Sequence, residues 1–365
     1  MCEIVIDNDK EIQVDIGSSE VTVGQQKGNI IELSGKPFSD SKLLGLQRKG
    51  FIYIENEDSN LYTEKFVKID KESINKSGKF KDNYDVLYSS ITEDIVSRLL
   101  DNMIYSGTMN SLTYTFHLFD MKGEKITGTT SNNYIKENYL EIVLSYHNPR
   151  ADEDAKYNPE EQYFPIKFND YHDEIINCYD NLSIFNSMVK YYKSIGVNEE
   201  YAKKFVIQQA AFDILIANTD RRKNSTNSIA IKSFDRCIPI NLDYGRSLPV
   251  MFKEEHVEKY ANMDEETWQD FVEGLSDSFS EEFGLISAEG RIVNNIEFLV
   301  ENGFEKFKIN INKLKRDLEV SCERIKRLKP ELYEFAKFKA GILIARLESE
   351  ELSVLWEASD EENNL

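Results

Sequence analysis

Residues 212–248 hold the side chains whose types and spacing best fit a chemical task. Asp220 and Asp243 lie 23 residues apart, and an amide side chain lies between them at Asn227 or Asn224. Phosphoryl transfer needs one carboxylate to orient or deprotonate the acceptor hydroxyl, and a carboxylate with an amide to hold magnesium on the phosphates. Taken singly, each acid could be a helix cap or a turn residue. Their combination indicates a phosphotransferase site.

The local pattern places these residues at the ends of regular elements. An apolar helical pattern over 199–217 stops just before Asp220. Two apolar strand-like segments follow, one starting after Asn227 and the other running into Asp243. If these segments pair as antiparallel strands, Asn227 and Asp243 come close together beside Asp220. This is the arrangement that holds metal-bound phosphates in kinases.

A second set of candidate residues lies upstream, where glycines precede a predicted hairpin. Residues 51–66 read as two strands around a polar turn, and Gly45, Gln47 and Lys49 stand before the first strand. The backbone amides and cations of such a loop can face the phosphates of a nucleotide. An ordinary hairpin with a basic turn explains the same residues, so this interpretation depends on the downstream motif.

The second strand of the hairpin and the next helix offer a lysine and a glutamate. Lys65 lies on the strand, and residues 89–100 have the spacing of an amphipathic helix with Glu93 near its start. In kinases a strand lysine contacts the phosphates and is held by a helix glutamate, so Lys65 and Glu93 are the predicted pair. Two alternatives stay open. Glu93 could simply favour the helix dipole, and Lys68, which points to the opposite strand face, could replace Lys65.

Length, composition and charge limit the class of protein. The chain has 365 residues, 41% of them hydrophobic, and this length favours two lobes. A net charge of −21 argues against nucleic-acid and anionic-membrane binding. The apolar runs are too short for a membrane span, and the N-terminus lacks a secretory pattern. The scattered cysteines read as reduced thiols, so we expect a cytoplasmic protein: Cys2, Cys178, Cys237 and Cys322.

Periodicity predicts an α+β fold of two lobes. Strand patterns and the helix over 89–100 indicate a small, mostly antiparallel, β-rich N-lobe over 1–150. Later patterns indicate a larger, mostly α-helical C-lobe over 151–365 that carries the catalytic and metal-binding loops. The helices predicted there cover 182–195, 199–217, 264–283, 294–302 and 311–347, and Pro330 should interrupt the last one.

Several of these segments resemble motifs of the HipA-like serine/threonine kinases. NTDRR, followed by an asparagine, an apolar strand and NLDYGRSL, is similar to the family's catalytic loop and metal-binding segment. Upstream, GLQRKGFIYI resembles its phosphate loop, LYTEKFVK its lysine strand and SSITEDIVSRLL its glutamate-bearing helix. The likeness covers 42–248 in order. It implies a two-lobed, protein-kinase-like fold, and the short strands before residue 42 suggest a compact member.

The resemblance implies a role for each matched residue. Asp220 would be the catalytic aspartate, Asp243 would hold Mg²⁺, and Lys65 would contact the phosphates of ATP with Glu93 as its partner. The phosphate loop would consist of residues that include Gly45, Gln47 and Lys49.

The pattern offers two positions for the metal-binding asparagine. The family places it five residues after the catalytic aspartate, where this chain has Ser225. Asn227 is preferred because it directly precedes a strand, and Asn224 is the alternative. Two other departures are Arg222 in place of the usual histidine and Lys42 where autophosphorylating members carry serine.

The same resemblance implies ATP- and Mg²⁺-dependent transfer of the γ-phosphate to serine or threonine of a protein substrate. Such kinases are often toxins of toxin–antitoxin pairs, so an antitoxin is a further expected partner. Two other functions fit the residues. One is a degenerate kinase that binds a nucleotide or a partner protein without turnover, which the altered asparagine spacing favours. The other is a lipid or small-molecule kinase, which would share the same chemistry.

Overall fold

Alternating apolar residues in the first third of the chain form a curled β-sheet, and most of the α-helices come later. The computed structural model describes residues 23–34, 48–56, 59–74, 80–82, 89–104, 110–121, 123–132, 141–144, 181–194, 196–218, 228–233, 236–248, 264, 266–267 and 292–359. Its strands are β1 (Val23–Lys27), β2 (Ile30–Ser34), β3 (Arg48–Asn56), β4 (Ser59–Ile69), β5 (Lys71–Ile74), β6 (Phe80–Asp82), β7 (Met103–Ile104), β8 (Thr115–Met121), β9 (Glu124–Asn132), β10 (Glu141–Leu144), β11 (Ser228–Ser233), β12 (Arg236–Asn241), β13 (Phe307–Ile309) and β14 (Trp356–Ala358). Its α-helices are α1 (Ser89–Asp101), α2 (Asn181–Ser194), α3 (Glu199–Leu215), α4 (Ile292–Glu301), α5 (Ile311–Leu328) and α6 (Tyr333–Glu348).

The helix predictions are confirmed where the structure describes the chain. Helices α1 to α4 lie within two residues of the predicted bounds at each end. The long pattern over 311–347 divides at Pro330, as expected, because proline cannot continue a helix and starts a short 3-10 turn here. The helix predicted over 264–283 lies almost entirely outside the described residues. No α-helix in the described ranges is long and apolar enough to span a bilayer.

The first sheet closes into a barrel with the strand order β1-β2-β8-β9-β4-β3. The β3–β4 hairpin is confirmed, with Ile52 opposite Lys65 and Lys49 opposite Lys68. The barrel is not purely antiparallel, because β1 pairs with β3 and β2 pairs with β8 in parallel. Alternate residues on each strand point inward and exclude water from the barrel interior. The buried interior side chains are Ile31, Leu33, Ile52, Ile54, Val67, Ile69, Phe119 and Ile126.

Helix α1 lies between the barrel and the C-terminal helices, and its position there depends on buried polar groups. Asp94 accepts a hydrogen bond from the backbone N–H of Phe116 on β8, at 2.9 Å. The same carboxylate accepts from Ser321 and Arg324 on α5. A buried carboxylate is stable only when charges and donors surround it in this way. Asp94 therefore ties α1 to the barrel on one side and to α5 on the other.

The start of α1 is joined to the end of β4. Asp70 directly follows β4 and accepts hydrogen bonds from the Ser90 N–H at 3.2 Å and from the Ser90 hydroxyl. It also accepts from the hydroxyls of Ser89, at 3.4 Å, and Thr127, at 2.6 Å. A carboxylate at this place satisfies N–H groups that the first turn of a helix leaves unpaired. Asp70 thus sets where α1 begins relative to the strand before it.

A second sheet carries the segment that leads to Asp243. Strands β11 and β12 are antiparallel, as predicted, and Ser228 stands opposite Asn241. Strand β10 pairs with β11, so a strand within residues 1–150 joins a sheet of the later residues. The division into lobes at residue 150 stays a prediction.

The core of the second part of the chain is built around α3. Phe212 lies at 5.7 Å from the ring of Tyr244 and at 6.2 Å from that of Phe307, both in edge-to-face packing. Such aromatic pairs bury large apolar area and favour these tilted geometries. They hold the residue after Asp243 against the last turns of α3.

We expect the stability of the barrel to fall in acid because of His117. Burial, with a smaller contribution from Arg324, lowers the pKa of His117 to about 4 from 6.5. The stability that neutral His117 contributes is therefore present above pH 6.5 and is lost as the pH falls through 4. The loss should reach about 3 kcal/mol.

Urea denaturation at about pH 7 and about pH 4.5 measures this loss. His117→Gln should remove most of it, because a glutamine amide can still donate to the backbone of Asn29 but does not titrate. Carboxylates also change the stability in acid, but they do so equally in the native chain and in His117→Gln, so the difference between the two proteins reports on His117. Equal losses in the native chain and the variant would exclude His117 as the cause.

Candidate active site

A buried lysine on β4 is the centre of the candidate site. The Lys68 side chain is 2% exposed, and its ammonium forms ion pairs with Glu93 on α1 and with Asp243 after β12. The distance from Lys68 Nζ to Asp243 Oδ1 is 2.9 Å. A lysine is rarely buried unless its charge is compensated. The three residues therefore bring β4, α1 and the end of β12 together at one point.

The structure corrects the predicted pairing of Lys65 with Glu93, because the partner of Glu93 is Lys68. Residues on a strand alternate between its two faces, and Lys65 shares a face with Val67 and Ile69, which line the barrel interior. Lys68 lies on the opposite face, which is directed at α1. The sequence left Lys65 and Lys68 as the two possible partners of Glu93. The structure decides between them, because the barrel interior lies on the Lys65 face of β4 and α1 lies on the Lys68 face.

Glu93 is fully buried, and both of its carboxylate oxygens are used. Oε1 accepts from Lys68, and Oε2 accepts from the Thr129 hydroxyl at 2.9 Å. Burial raises the pKa of Glu93 above its ordinary value, whereas the charge of Lys68 opposes this shift. These contacts fix the orientation of Glu93, so the helix-dipole alternative does not explain its position.

Opposing effects act on the charge of Lys68. Burial alone lowers the pKa of Lys68, but the charges of Asp243 and then Glu93 raise it well above its ordinary value. The Tyr114 ring lies 5.4 Å from Lys68 Nζ and adds an electrostatic attraction through its π face. The lysine is therefore an ammonium ion held in a defined position inside the fold.

Asp243 lies in a short loop with an unusual backbone. Its φ of 66° is in the left-handed region, where a residue with a side chain is strained unless the surroundings hold it. Its backbone N–H donates to the Tyr114 hydroxyl at 3.4 Å. The side chain keeps 22% of its area exposed, in contrast to Lys68 and Glu93. Asp243 is thus the acid of this cluster that solvent or a cation can reach.

Glycine is required at position 245 because the loop passes close to α1. A Cβ atom there would lie 2.9 Å from the Cβ of Ser89, which is closer than such atoms approach in proteins. The neighbouring Tyr244 is fully buried and packs against Tyr114, with ring centroids 6.3 Å apart. Each residue of the DYG sequence therefore has a structural role: Asp243 presents a partly exposed carboxylate, Tyr244 packs in the core, and Gly245 lies against the start of α1.

Two further residues of the site were missed from the sequence. Thr129 orients Glu93, and Tyr114 lies against both Lys68 and Asp243. The signal for Thr129 was present in the strand ITGTTSN, where Thr127 and Thr129 share a face and bond Asp70 and Glu93 in turn. Burial raises the pKa of Tyr114 well above its ordinary value, so it acts as a neutral hydroxyl.

The other predicted site residues are placed only in part. Lys49 lies on β3 in register with Lys68. After α3 the described chain continues to Asn218, two residues before the predicted catalytic aspartate. The remaining candidates lie outside the described residues: Asp220, Asn224, Asn227, Gly45 and Gln47.

Comparisons with known proteins find only distant likeness. No family model and no curated protein matches the sequence. Among solved structures, the chain is similar to the Helicobacter pylori proinflammatory kinase CtkA, with a TM-score of 0.48 and 11% identity over 84% of this chain and 89% of that one. It is also similar to hydra Fam20, solved with sugar, with a TM-score of 0.29 and 11% identity over 94% and 90% of the two chains. Likeness at this level leaves the function to be argued from the residues of the site.

The ion pairs of Lys68 predict a large difference between two lysine variants. Lys68→Met leaves Glu93 buried without its counter-charge, and we expect the free energy of unfolding to fall by about 3 kcal/mol. Lys65→Met is the matched control on the same strand and should change it by less than about 1 kcal/mol. Urea denaturation at neutral pH measures both.

A double variant tests the reason for the loss. Because glutamine carries no charge, Lys68→Met combined with Glu93→Gln should recover much of the stability that Lys68→Met loses. Additive losses in the double variant, or equal losses in the two lysine variants, would contradict the assigned pair.

Proposed function

We propose that this chain is an ATP- and Mg²⁺-dependent kinase of the HipA-like type, which transfers the γ-phosphate to serine or threonine of a protein. The observation that carries the proposal is the buried Lys68, fixed by the helix residue Glu93 and directed at Asp243. A strand lysine held by a helix glutamate beside a metal-binding aspartate is the arrangement that kinases use for phosphates.

The described residues fit a nucleotide and its metal ion. Mg²⁺ prefers oxygen ligands, and the partly exposed Asp243 carboxylate offers them at the edge of the cluster. The ammonium of Lys68, which Glu93 holds in place, offers a positive charge to phosphate oxygens. When bound, Mg-ATP supplies the transferable phosphoryl group.

Each residue has a separate task in the proposed reaction. Asp220 would orient the acceptor hydroxyl and accept its proton, and Asp243 and Asn227 would hold the metal. Lys68 would take the phosphate-binding role that the sequence suggested for Lys65. Gly45 and Gln47, which precede β3 in the sequence, and Lys49, the second residue of β3, would lie over the phosphates. Catalysis of this kind consists mostly of positioning and electrostatic stabilisation.

The substrate class and cellular setting extend this proposal. A protein substrate, an antitoxin partner and the lack of direct nucleic-acid or membrane binding follow from the sequence resemblance and the acidic charge. A cytoplasmic location is proposed because the scattered cysteines read as thiols; Cys237 and Cys322, the two cysteines within the described residues, are buried.

Phosphate transfer from labelled ATP tests the proposal. The native chain with Mg²⁺ should label itself or a general protein acceptor, and Asp220→Ala and Asp243→Asn should each lower the rate at least about 100-fold, because each removes a group that acts on the transferred phosphate. Asp264→Asn is the control, since Asp264 is exposed and distant in sequence from the motif. Equal labelling by the native chain and both site variants would refute the assignment.

The degenerate-kinase alternative is supported by the altered spacing of the asparagine and predicts a different binding result. For an active kinase, ATP should raise the melting temperature more with Mg²⁺ than without it, and Asp243→Asn should abolish that difference. Stabilisation by ATP that is indifferent to Mg²⁺, with no labelling of any acceptor, would favour the non-catalytic module. Labelling of lipids or small metabolites but not proteins would favour the third candidate.

A further inference from the structure

Helix α6 carries two buried basic side chains that donate hydrogen bonds to backbone carbonyls of other segments. Lys339 and Arg346 are seven residues apart, which places them on the same face of the helix two turns apart. Their exposed fractions are 2% and 3%. Each reaches a segment that flanks the candidate active site.

Arg346 binds the end of α3. Its Nε donates to the Leu215 carbonyl at 3.0 Å and its second guanidinium nitrogen donates to the Ile214 carbonyl at 2.7 Å. The last carbonyls of a helix have no partner within the helix, and a cation there also favours the helix dipole. The chain continues from this point through Asn218 toward Asp220. Arg346 therefore fixes the place from which the proposed catalytic loop departs.

Lys339 binds the other segment. Its ammonium donates to the Ser247 carbonyl at 3.2 Å and to the Leu248 carbonyl. These residues follow the Asp243–Gly245 loop, separated from it by Arg246. The Leu248 N–H donates in turn to the Ile216 carbonyl at 2.9 Å, so the two segments are also bonded to each other. Helix α6 thus holds both segments next to one another.

Backbone strain is concentrated in the same two segments. Among the described residues, the non-glycine residues with positive φ are Ala217, Asp243 and Leu248. Such conformations persist only where the surrounding structure holds them, and they cluster at functional sites. The contacts of α6 lie within three residues of Ala217 and at Leu248 itself.

The two cations are expensive to bury. Burial lowers the pKa of Lys339 to about 7 and that of Arg346 to about 10. Apolar residues of similar volume would fill these places without that desolvation, and replacing buried charges in this way is often neutral for stability. Their donors, however, fix the carbonyls in a way that an apolar side chain cannot.

We propose that Lys339 and Arg346 are positioning residues for phosphoryl transfer, which hold the Asp243 loop and the segment leading to Asp220 in mutual register. The inference rests on the proposed function for its catalytic consequence, whereas the structural register can be measured without turnover. Neither residue touches the substrate or the metal in this scheme.

Hydrogen exchange measured by mass spectrometry tests the register directly. Lys339→Met should raise the exchange rate of residues 241–248 at least about 10-fold, and Arg346→Met should do the same for residues 212–218, with the barrel unaffected. Lys337→Met is the matched control, because Lys337 lies on the same helix and is 54% exposed. Unchanged exchange in both segments, or a uniform rise across the chain, would overturn the proposal.

Kinetics of the same variants test the catalytic consequence. Misplacement of a catalytic group by about 1 Å can lower the rate about 100-fold, so both Met variants should lower kcat by at least about 10-fold with KM for ATP changed less than about 3-fold. Arg346→Lys keeps a donor and should recover part of kcat. A loss of folded protein alone would leave kcat per folded molecule unchanged, and this result would also overturn the proposal.

Hydrogen exchange and kinetics together distinguish a failure of the proposed function from a failure of the positioning role. If the native chain transfers no phosphate, the proposed function fails. The exchange experiment then still decides the structural role: faster exchange confined to the two segments supports it, and unchanged exchange refutes it. If the native chain is active and the variants show native kcat, the positioning role fails while the proposed function stands.

Discussion

The burial of one positive charge determines how the elements of the candidate site are arranged. The Lys68 ammonium lies inside the fold, and removing such an ion from water is unfavourable by several kcal/mol unless charges and donors replace the lost hydration. Glu93 and Asp243 provide that replacement from α1 and from the end of β12. These acids are far apart in sequence, so the charge of Lys68 couples the barrel, the helix and the later loop. A fold that separated any one of them would leave a buried charge unpaired.

Helix α1 makes this arrangement rigid through three acids with different partners. Asp70 holds its first turn to the end of β4, Glu93 pairs with Lys68, and Asp94 bonds Arg324 of α5. The position of Glu93 is therefore fixed by its own ion pair and by the contacts of Asp70 and Asp94, which hold the same helix. The proposed phosphoryl transfer would need the lysine and the glutamate together before a nucleotide binds, and these contacts hold the two residues together within the protein. Lys339 and Arg346 of α6 also hold segments that flank the candidate site, but they bond backbone carbonyls instead of carboxylates.

Much of the local structure was readable from the sequence. The β3–β4 hairpin, the antiparallel β11–β12 pair and helices α1 and α3 follow from periodicity that short-range packing enforces. Asp243 was identified because it stands at the edge of an apolar segment, and Glu93 because it lies near the start of an amphipathic helix that follows the lysine strand. Thr129 and Tyr114 were missed, since a threonine on a strand or a tyrosine before one has many ordinary uses. Lys339 and Arg346 were missed for a similar reason: basic residues on a predicted helix are expected to lie in solvent.

Sequence periodicity decided which residues alternate along β4, and therefore that Lys65 and Lys68 face opposite ways. It did not decide which way is inward, because a strand of this composition has apolar residues on both faces. Closure of the barrel placed Val67 and Ile69 inside and left Lys68 toward α1. The types of residue that could do phosphate chemistry were thus evident from the chain alone. Their pairing came from tertiary structure, since desolvation and charge compensation act between elements that are distant in sequence.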